Sequence, residues 1–390
     1  MSKIVHLCLA CFFPDGYSYQ ENLLPKFHKK MGFDVEVIAS PLTFGAHGEQ
    51  AYTDAPRTYY NENGIRVTRL PYKKDGYIYK KLAVFSGVFD ALCAAKPEIL
   101  FIHGCQFLSI KDVVDYLKLN PTVRVFVDNH ADYSNSARGF VSKHFLHRLI
   151  WKYCAQLIDP YCCLFWGVLP ARVNFLIENY GLSKSKCKLL VMGGDDEEID
   201  RASDPKLISE IRSKLNCSDD ELLIVTGGKI DSSKTEVFNL MRAVGSLKEE
   251  GWSSLQLLVF GPVSSELEQT FNEIRKDTGC LYIPWANSSE SYKLFAAADL
   301  VVFPGRHSVY WEQVASLGKP MLVKLWEGTD HIDIRGNVVL MDNVEVDSLK
   351  SYLRHAFQPD VYDGMTKAAH ECASLFRYSE IARRSVACDS

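Results

Sequence analysis

No apolar run in this 390-residue chain approaches the ~20 residues that a membrane-spanning helix needs. The longest, such as residues 162–169, fall well short, which argues against an integral membrane protein of the helical kind. No small-residue cleavage site follows the apolar start, so that start reads as a first buried strand rather than a signal peptide. There is no low-complexity tract and no repeat of 20–50 residues, which removes solenoids and arrays. No dense basic run with interleaved aromatics points to nucleic acid. Neither a Walker P-loop nor a G-x-G-x-x-G is present, and no Asp-x-Asp suits a divalent cation. One C-x-x-C occurs, Cys8 to Cys11, with no second pair at zinc spacing.

What is present is the balance of a soluble globular protein: 47% hydrophobic and 24% charged residues. At roughly 100–200 residues per domain, two domains are expected. The net charge is -4, unevenly spread. Residues 1–195 carry 23 Lys and Arg against 17 Asp and Glu, and the remainder 21 against 31. A basic first half suits an anionic surface or substrate, although solvated faces are the commoner cause. Twelve cysteines sit in apolar surroundings (Cys8, Cys93, Cys105, Cys154, Cys280) and read as core thiols of a reducing, cytoplasmic protein.

Short Val/Ile/Leu runs alternate with helical patterns in both halves, the signature of βαβ units and parallel sheets. In the first half, strands are expected at 3–9, 34–38, 65–70, 99–103 and 123–128, and helices at 21–31 and 83–95. In the second, strands are expected at 222–225, 255–260, 280–283, 300–303 and 321–324. Helices there are expected at 235–248, 266–276, 290–297 and 310–317. The acidic, Gly-containing stretch 192–198 is the expected linker. The expected domains are 1–195 and 196–370, with a C-terminal helix at 371–390 that crosses back to the first. Two open α/β domains bind ligands beyond the carboxyl ends of their strands.

Two segments carry chemistry. Gly227-Gly228-Lys229-Ile230-Asp231-Ser232-Ser233-Lys234 leaves the first strand of the second half. Its glycines allow backbone approach, and two lysines five apart can place two ammonium groups on one phosphate pair. The bland alternative, a glycine turn with two surface lysines, weighs equally on spacing alone. Phe303-Pro304-Gly305-Arg306-His307-Ser308 then leads into a helix, with Ser308 as N-cap and Glu312 about one turn in, where a carboxylate can accept two hydroxyl hydrogen bonds.

These segments, with Gly261-Pro262, Ala298-Asp299 before Pro304, and Glu312-Gln313-Val314-Ala315-Ser316-Leu317-Gly318-Lys319-Pro320, resemble the family-4 glycosyltransferases. The resemblance implies the GT-B fold: α/β, with two Rossmann-like, doubly wound domains facing across a cleft, the first binding acceptor and the second a nucleotide sugar. It implies a retaining hexosyltransferase that uses a UDP- or GDP-linked donor, with no cofactor and no metal. The acceptor would be a glycan or lipid-linked glycan in surface polysaccharide synthesis, on the inner face of the membrane.

Carried over by residue, Lys229 and Lys234 would bind the diphosphate, supported by Gly228, and Glu312 the ribose. Gly16 would let a first-domain loop approach the phosphates. His130 would lie near the transferred sugar, with His103 on the acceptor side. The family's first Glu, eight residues before Glu312, is absent. Arg306, His307 and Ser308 are expected to contact the donor sugar in its place. A non-catalytic sugar-nucleotide or glycan-binding subunit and a sugar-nucleotide epimerase are the alternatives. Residues 139–157 (Phe140, Val141, His144, Phe145, Arg148, Leu149, Trp151, Lys152) pattern as an amphipathic helix suited to an anionic membrane interface.

Overall fold

The computed structural model describes residues 2–45, 49–133, 136 and 142–387, without the side chains of 142–144. It divides into two units, residues 1–191 with 381–390, and residues 192–380. The boundary therefore falls at Val191–Met192, four residues before the expected position. The stretch read as a linker belongs to the second unit. Gly194 N donates to Phe376 O, Asp195 N donates to the Tyr292 hydroxyl, and Asp195 caps the helix Asp196–Ala202. Only residues from Ile381 onward group with the first unit, later than the expected start at 371.

The strands of the first unit, in chain order, are β1 Lys3–Cys8, β2 Asp34–Ala39, β3 Leu42–Phe44, β4 Gln50–Tyr52, β5 Arg57–Tyr60, β6 Arg66–Arg69, β7 Ile99–His103, β8 Arg124–Asn129, β9 Cys162–Gly167 and β10 Cys187–Leu189. Its main sheet runs β10-β9-β8-β7-β1-β2-β6-β5, parallel throughout except for the edge pair β5–β6. β3 and β4 form a separate hairpin. β7 is buried along its whole length and β1 at all but its first residue. This explains their continuous Val/Ile/Leu character, each fully buried aliphatic side chain contributing about 1.5–3 kcal/mol.

The second unit holds β11 Leu222–Gly227, β12 Leu255–Phe260, β13 Leu281–Ile283, β14 Leu300–Phe303, β15 Met321–Lys324 and β16 Val338–Met341. Its sheet, β13-β12-β11-β14-β15-β16, is parallel throughout. Counted within the unit, that order is 3-2-1-4-5-6, the doubly wound arrangement whose direction of winding reverses beside its first strand.

Several expected elements shift. The helix expected at 83–95 begins at Val88. Ala83 sits at φ +48, and Gly87 enters the helix in the left-handed region, so the chain bends before it. The helix expected at 310–317 is Tyr310–Ser316, capped by Val309, so Ser308 is not its N-cap. The apolar run 162–169 is largely β9, and β10 and β16 are additional. Among the expected core thiols, Cys8, Cys105, Cys154 and Cys280 are buried, whereas Cys93 is exposed. Burial pushes the Cys154 thiol up to about 12, far from a reactive thiolate.

Candidate functional site

In the second unit, the loops leaving β11 and β14 meet at the point where winding reverses. They line a small pocket of 40 Å³ with Gly228, Lys229, Lys234, Arg306 and Ser308. Gly228 has φ +125, in the region that favours glycine. A Cβ on Gly261 would come within 2.3 Å of the Gly228 carbonyl oxygen, so the loops after β11 and β12 approach as closely as backbones allow. Lys229 is largely exposed, its ammonium 3.8 Å from Asp231. Lys234 N bonds back to Asp231 O at 2.8 Å, which folds the loop and brings both lysines to the same pocket. The helix beyond starts at Val237, which also lines the pocket. Two cations ahead of a 13-residue helix are an arrangement that can receive an anion.

Arg306 is exposed, its guanidinium 5.8 Å from the Trp326 ring centroid, while Trp326 Nε1 donates to Gly305 O at 3.1 Å. His307 does not line the pocket. Its Nε2 lies 2.8 Å from Glu312 Oε1, and His331 Nε2 lies 2.9 Å from the same oxygen. Glu312 is fully buried, and its Oε2 has no hydrogen-bond partner. Burial alone would raise the Glu312 carboxyl, but the two imidazoles outweigh it and bring it down to about 2. The carboxylate read as the ribose ligand is thus enclosed in this structure, with His307 over it. His307, expected to face a sugar, here pairs with Glu312 through Nε2.

His307, Glu312 and His331 bring three ligand atoms within 4.8 Å of one another, the one such group of potential metal ligands among the described residues. A ring bound to metal through Nε2 carries its proton on Nδ1, and Nδ1 of His331 is buried without a partner. A ring that donates from Nε2 leaves only a lone pair there, which costs less. The trio is therefore read as hydrogen-bonded.

In the first unit, the carboxyl ends of β7 and β8 open onto a cavity of 470 Å³ lined by His103, Gly104, Gln106, His130 and, from neighbouring segments, Glu21 and His147. Beneath His103, Gly104 and His130, which form its floor, lies Asp128, fully buried. Oδ2 accepts from His103 Nδ1 at 2.8 Å and Gln20 Nε2 at 3.1 Å, and Oδ1 from Gly104 N at 3.0 Å. His130 Nε2 lies 3.6 Å from Oδ2. Burial would raise the Asp128 carboxyl, but His103 and His130 hold it well below the usual carboxylate range. Burial would lower His103, but Cys8 and Asp128 raise it to about 9. One carboxylate thus holds His103 by a hydrogen bond and lies within ion-pair distance of His130.

Gly16 lies outside that lining, in the loop after β1. It sits at φ +76, and a Cβ placed on it would meet nothing within 4 Å. Asp128, His6, His28 and His331 escaped the sequence reading. Asp128 was within sight, two residues before His130 at a strand end. The others meet their partners only through the fold.

The segment expected to lie on a membrane is a π-helix, Ser142–Trp151, continued by the α-helix Lys152–Ile158. Phe140 and Val141 and the side chain of His144 lie outside the described residues. Phe145, Leu149 and Tyr153 are exposed, but Trp151 is buried, so the apolar face is narrower than expected and its tryptophan packs inward. No described helix is long and apolar enough to cross a membrane.

No protein-family model matches this chain, and no curated protein matches it significantly. Solved structures do. A glycosyltransferase from Rickettsia africae is 14% identical, with 99% of this chain and 97% of that one covered and a TM-score of 0.65. HepE of Anabaena, solved in complex with UDP, is 14% identical over 98% of each chain, with a TM-score of 0.66. The UDP-GlcNAc 2-epimerase of Neisseria meningitidis, bound to UDP-GlcNAc, is 12% identical over 98% of each, with a TM-score of 0.61. At such identities the likeness is one of fold: this chain has the α/β GT-B fold, built from two Rossmann-like domains.

Proposed function

We propose that this chain is a glycosyltransferase that binds a nucleotide-diphosphate sugar in its second unit and transfers the sugar to a hydroxyl of a glycan or lipid-linked glycan. The observation that carries the reading is the Gly228, Lys229, Lys234, Arg306 and Ser308 pocket at the winding reversal of the 3-2-1-4-5-6 sheet. That is where such sheets bind nucleotides, and two ammonium groups there stabilise a departing diphosphate electrostatically. Fold neighbours solved with UDP and UDP-glucose support a UDP-linked donor, with GDP as the other candidate.

Glu312 is proposed to take the ribose once His307 moves aside, its Oε2 then gaining the partner it lacks. His130 is proposed to lie beside the transferred sugar and His103 on the acceptor side. Gly16 is proposed to let its loop approach the phosphates. Retention, hexosyl transfer without a cofactor or metal, family-4 kinship and a cytoplasmic, membrane-facing role in surface polysaccharide synthesis belong to the same proposal. They rest on the motif resemblance. Titration calorimetry with free UDP and GDP, followed by a panel of their sugars with nucleotide release as readout, tests it. Failure to bind either nucleotide overturns it.

Epimerisation of the donor is the second reading, favoured by the fold neighbours of that activity and by the titratable groups around the 470 Å³ cavity. A donor returned as its epimer, with no sugar passed to an acceptor, would select it. Binding without turnover would select the non-catalytic subunit.

A further inference from the structure

Three buried imidazoles join the cavity floor of the first unit to the C-terminal segment. His103 Nδ1 contacts Asp128 Oδ2 at 2.8 Å, and His103 Nε2 lies 3.0 Å from His6 Nδ1. His6 Nε2 lies 2.9 Å from His28 Nδ1, and His28 Nε2 lies 3.0 Å from Ala382 O. His6 and His28 are wholly buried and His103 all but so. The three rings stack, with centroids 5.2 and 5.1 Å apart.

Donor and acceptor accounting decides the protonation of this chain. A carbonyl oxygen only accepts, so His28 Nε2 carries a hydrogen. Ser385 Oγ, also 3.0 Å from that nitrogen, is itself committed as a donor to Ala382 O. An ionised carboxylate only accepts, so His103 Nδ1 carries a hydrogen too. Each of the two contacts between rings needs one more. Four hydrogens are thus shared by three rings, each of which holds one when neutral. The chain holds a single excess proton and one positive charge. Any of the three rings can carry it without breaking a contact, and the adjacent Asp128 charge selects His103. The shifts agree in direction: burial lowers His6, burial lowers His28 to about 4, and His103 is raised to about 9.

We propose that His28, His6, His103 and Asp128 form a single-proton relay that couples the charge of the cavity floor to the docking of residues 381–387. His6 and His28 are positioning residues in it. A second proton sets two N–H groups against each other, and loss of the first leaves one contact without a hydrogen. In either case the chain breaks. The other titratable groups around it are Cys8, Cys11, Glu21 and His130. Trp166 Nε1, which donates to Ser385 O at 2.9 Å, supplies a neutral second anchor for the same segment. The inference rests on this geometry alone and stands apart from the proposed activity.

The test is nitrogen NMR of the histidine rings in the full chain. At pH 7, His103 should show two protonated ring nitrogens, and His6 and His28 one each, on Nε2. Protection of the amides of residues 378–387, the slowing of exchange relative to the unstructured chain at the same pH, should be greatest near neutrality and fall below about pH 4 and above about pH 9. In His6→Phe, which cuts the chain at its middle, that exchange should be roughly tenfold faster at pH 7, the effect of one buried hydrogen bond. A neutral His103 at pH 7 overturns the relay, and this measurement needs no variant to fold. Protection in the segment that stays the same from pH 3 to pH 10 overturns the coupling.

Discussion

The two units solve one topological problem in opposite ways. Both have a parallel core of strands whose winding reverses beside the first strand, and in both the loops at the reversal make the cavity. In the second unit those loops carry glycines and two lysines that line the pocket, Lys229 largely exposed, so charge is left facing solvent for the proposed diphosphate to meet. In the first, the strand ends carry His103 and Asp128, buried and bonded to one another, so the charges are satisfied before any ligand arrives. An exposed cation keeps most of its hydration and loses little when its ligand leaves, whereas a buried charge needs its partner permanently. The first site is therefore expected to be tied to folding and the second to binding.

The sharpest break of that comparison is Asp128→Ala. It leaves His103 and its proton without a counter-charge, and should cost about 3–5 kcal/mol of first-unit stability. Chemical denaturation followed by hydrogen exchange in β7 measures it, and β14 should be unaffected. Lys229→Ala and Lys234→Ala should do the converse. Each should lose roughly 1.5–3 kcal/mol of UDP or GDP affinity by calorimetry, with little change in the melting temperature. If stability falls and affinity does not, the two lysines are structural.

The pH response should separate the units as well. His28, lowered to about 4 from 6.5, contributes stability that is lost as pH falls from 6.5 towards 4, because the unfolded chain binds the proton there. His103, raised to about 9, contributes stability that is lost as pH rises from 6.5 towards 9. The first unit should thus be most stable near pH 6.5. Glu312, lowered to about 2 from 4.5, contributes stability that is lost only as pH falls below 4.5, so the second unit should lack the alkaline limb. Unit-resolved hydrogen exchange from pH 3 to 9.5 distinguishes a two-sided from a one-sided profile.

Smaller effects come from the surface. Arg306→Ala should alter the ranking of donor sugars more than the affinity for free nucleotide, since its guanidinium lies over Trp326 at the pocket edge. Phe145→Ser with Leu149→Ser should weaken co-sedimentation with anionic vesicles at low salt by less than tenfold, because Trp151 is already turned inward. Wild-type protein that stays in the supernatant would assign that helix to packing within its unit.

Much of the architecture was legible because buried parallel strands leave unbroken apolar runs. β1, β7, β11, β12, β14 and β15 were all readable in this way. β9 was not, because its run Cys-Cys-Leu-Phe-Trp-Gly mixes residue types that suit a strand or a buried helix equally. The start at Val88 was hidden as well, since a positive φ at Ala83 is dictated by contacts rather than by residue type. The anion pocket was legible in Gly228, Lys229 and Lys234, whose spacing along a single loop already brings them together. Chain order alone places them on one strand exit.

The sequence by itself thus determined the sheet-forming strands, the doubly wound class and the lysine–glycine loop, because each depends on residues close together along the chain. Tertiary structure alone decided that Glu312 is enclosed by His307 and His331, and that His6, His28 and His103 align behind Asp128. Partners separated by up to 357 positions, as His28 and Ser385 are, leave no local pattern, and the proton they share exists only once burial has removed the water that would otherwise bond each ring.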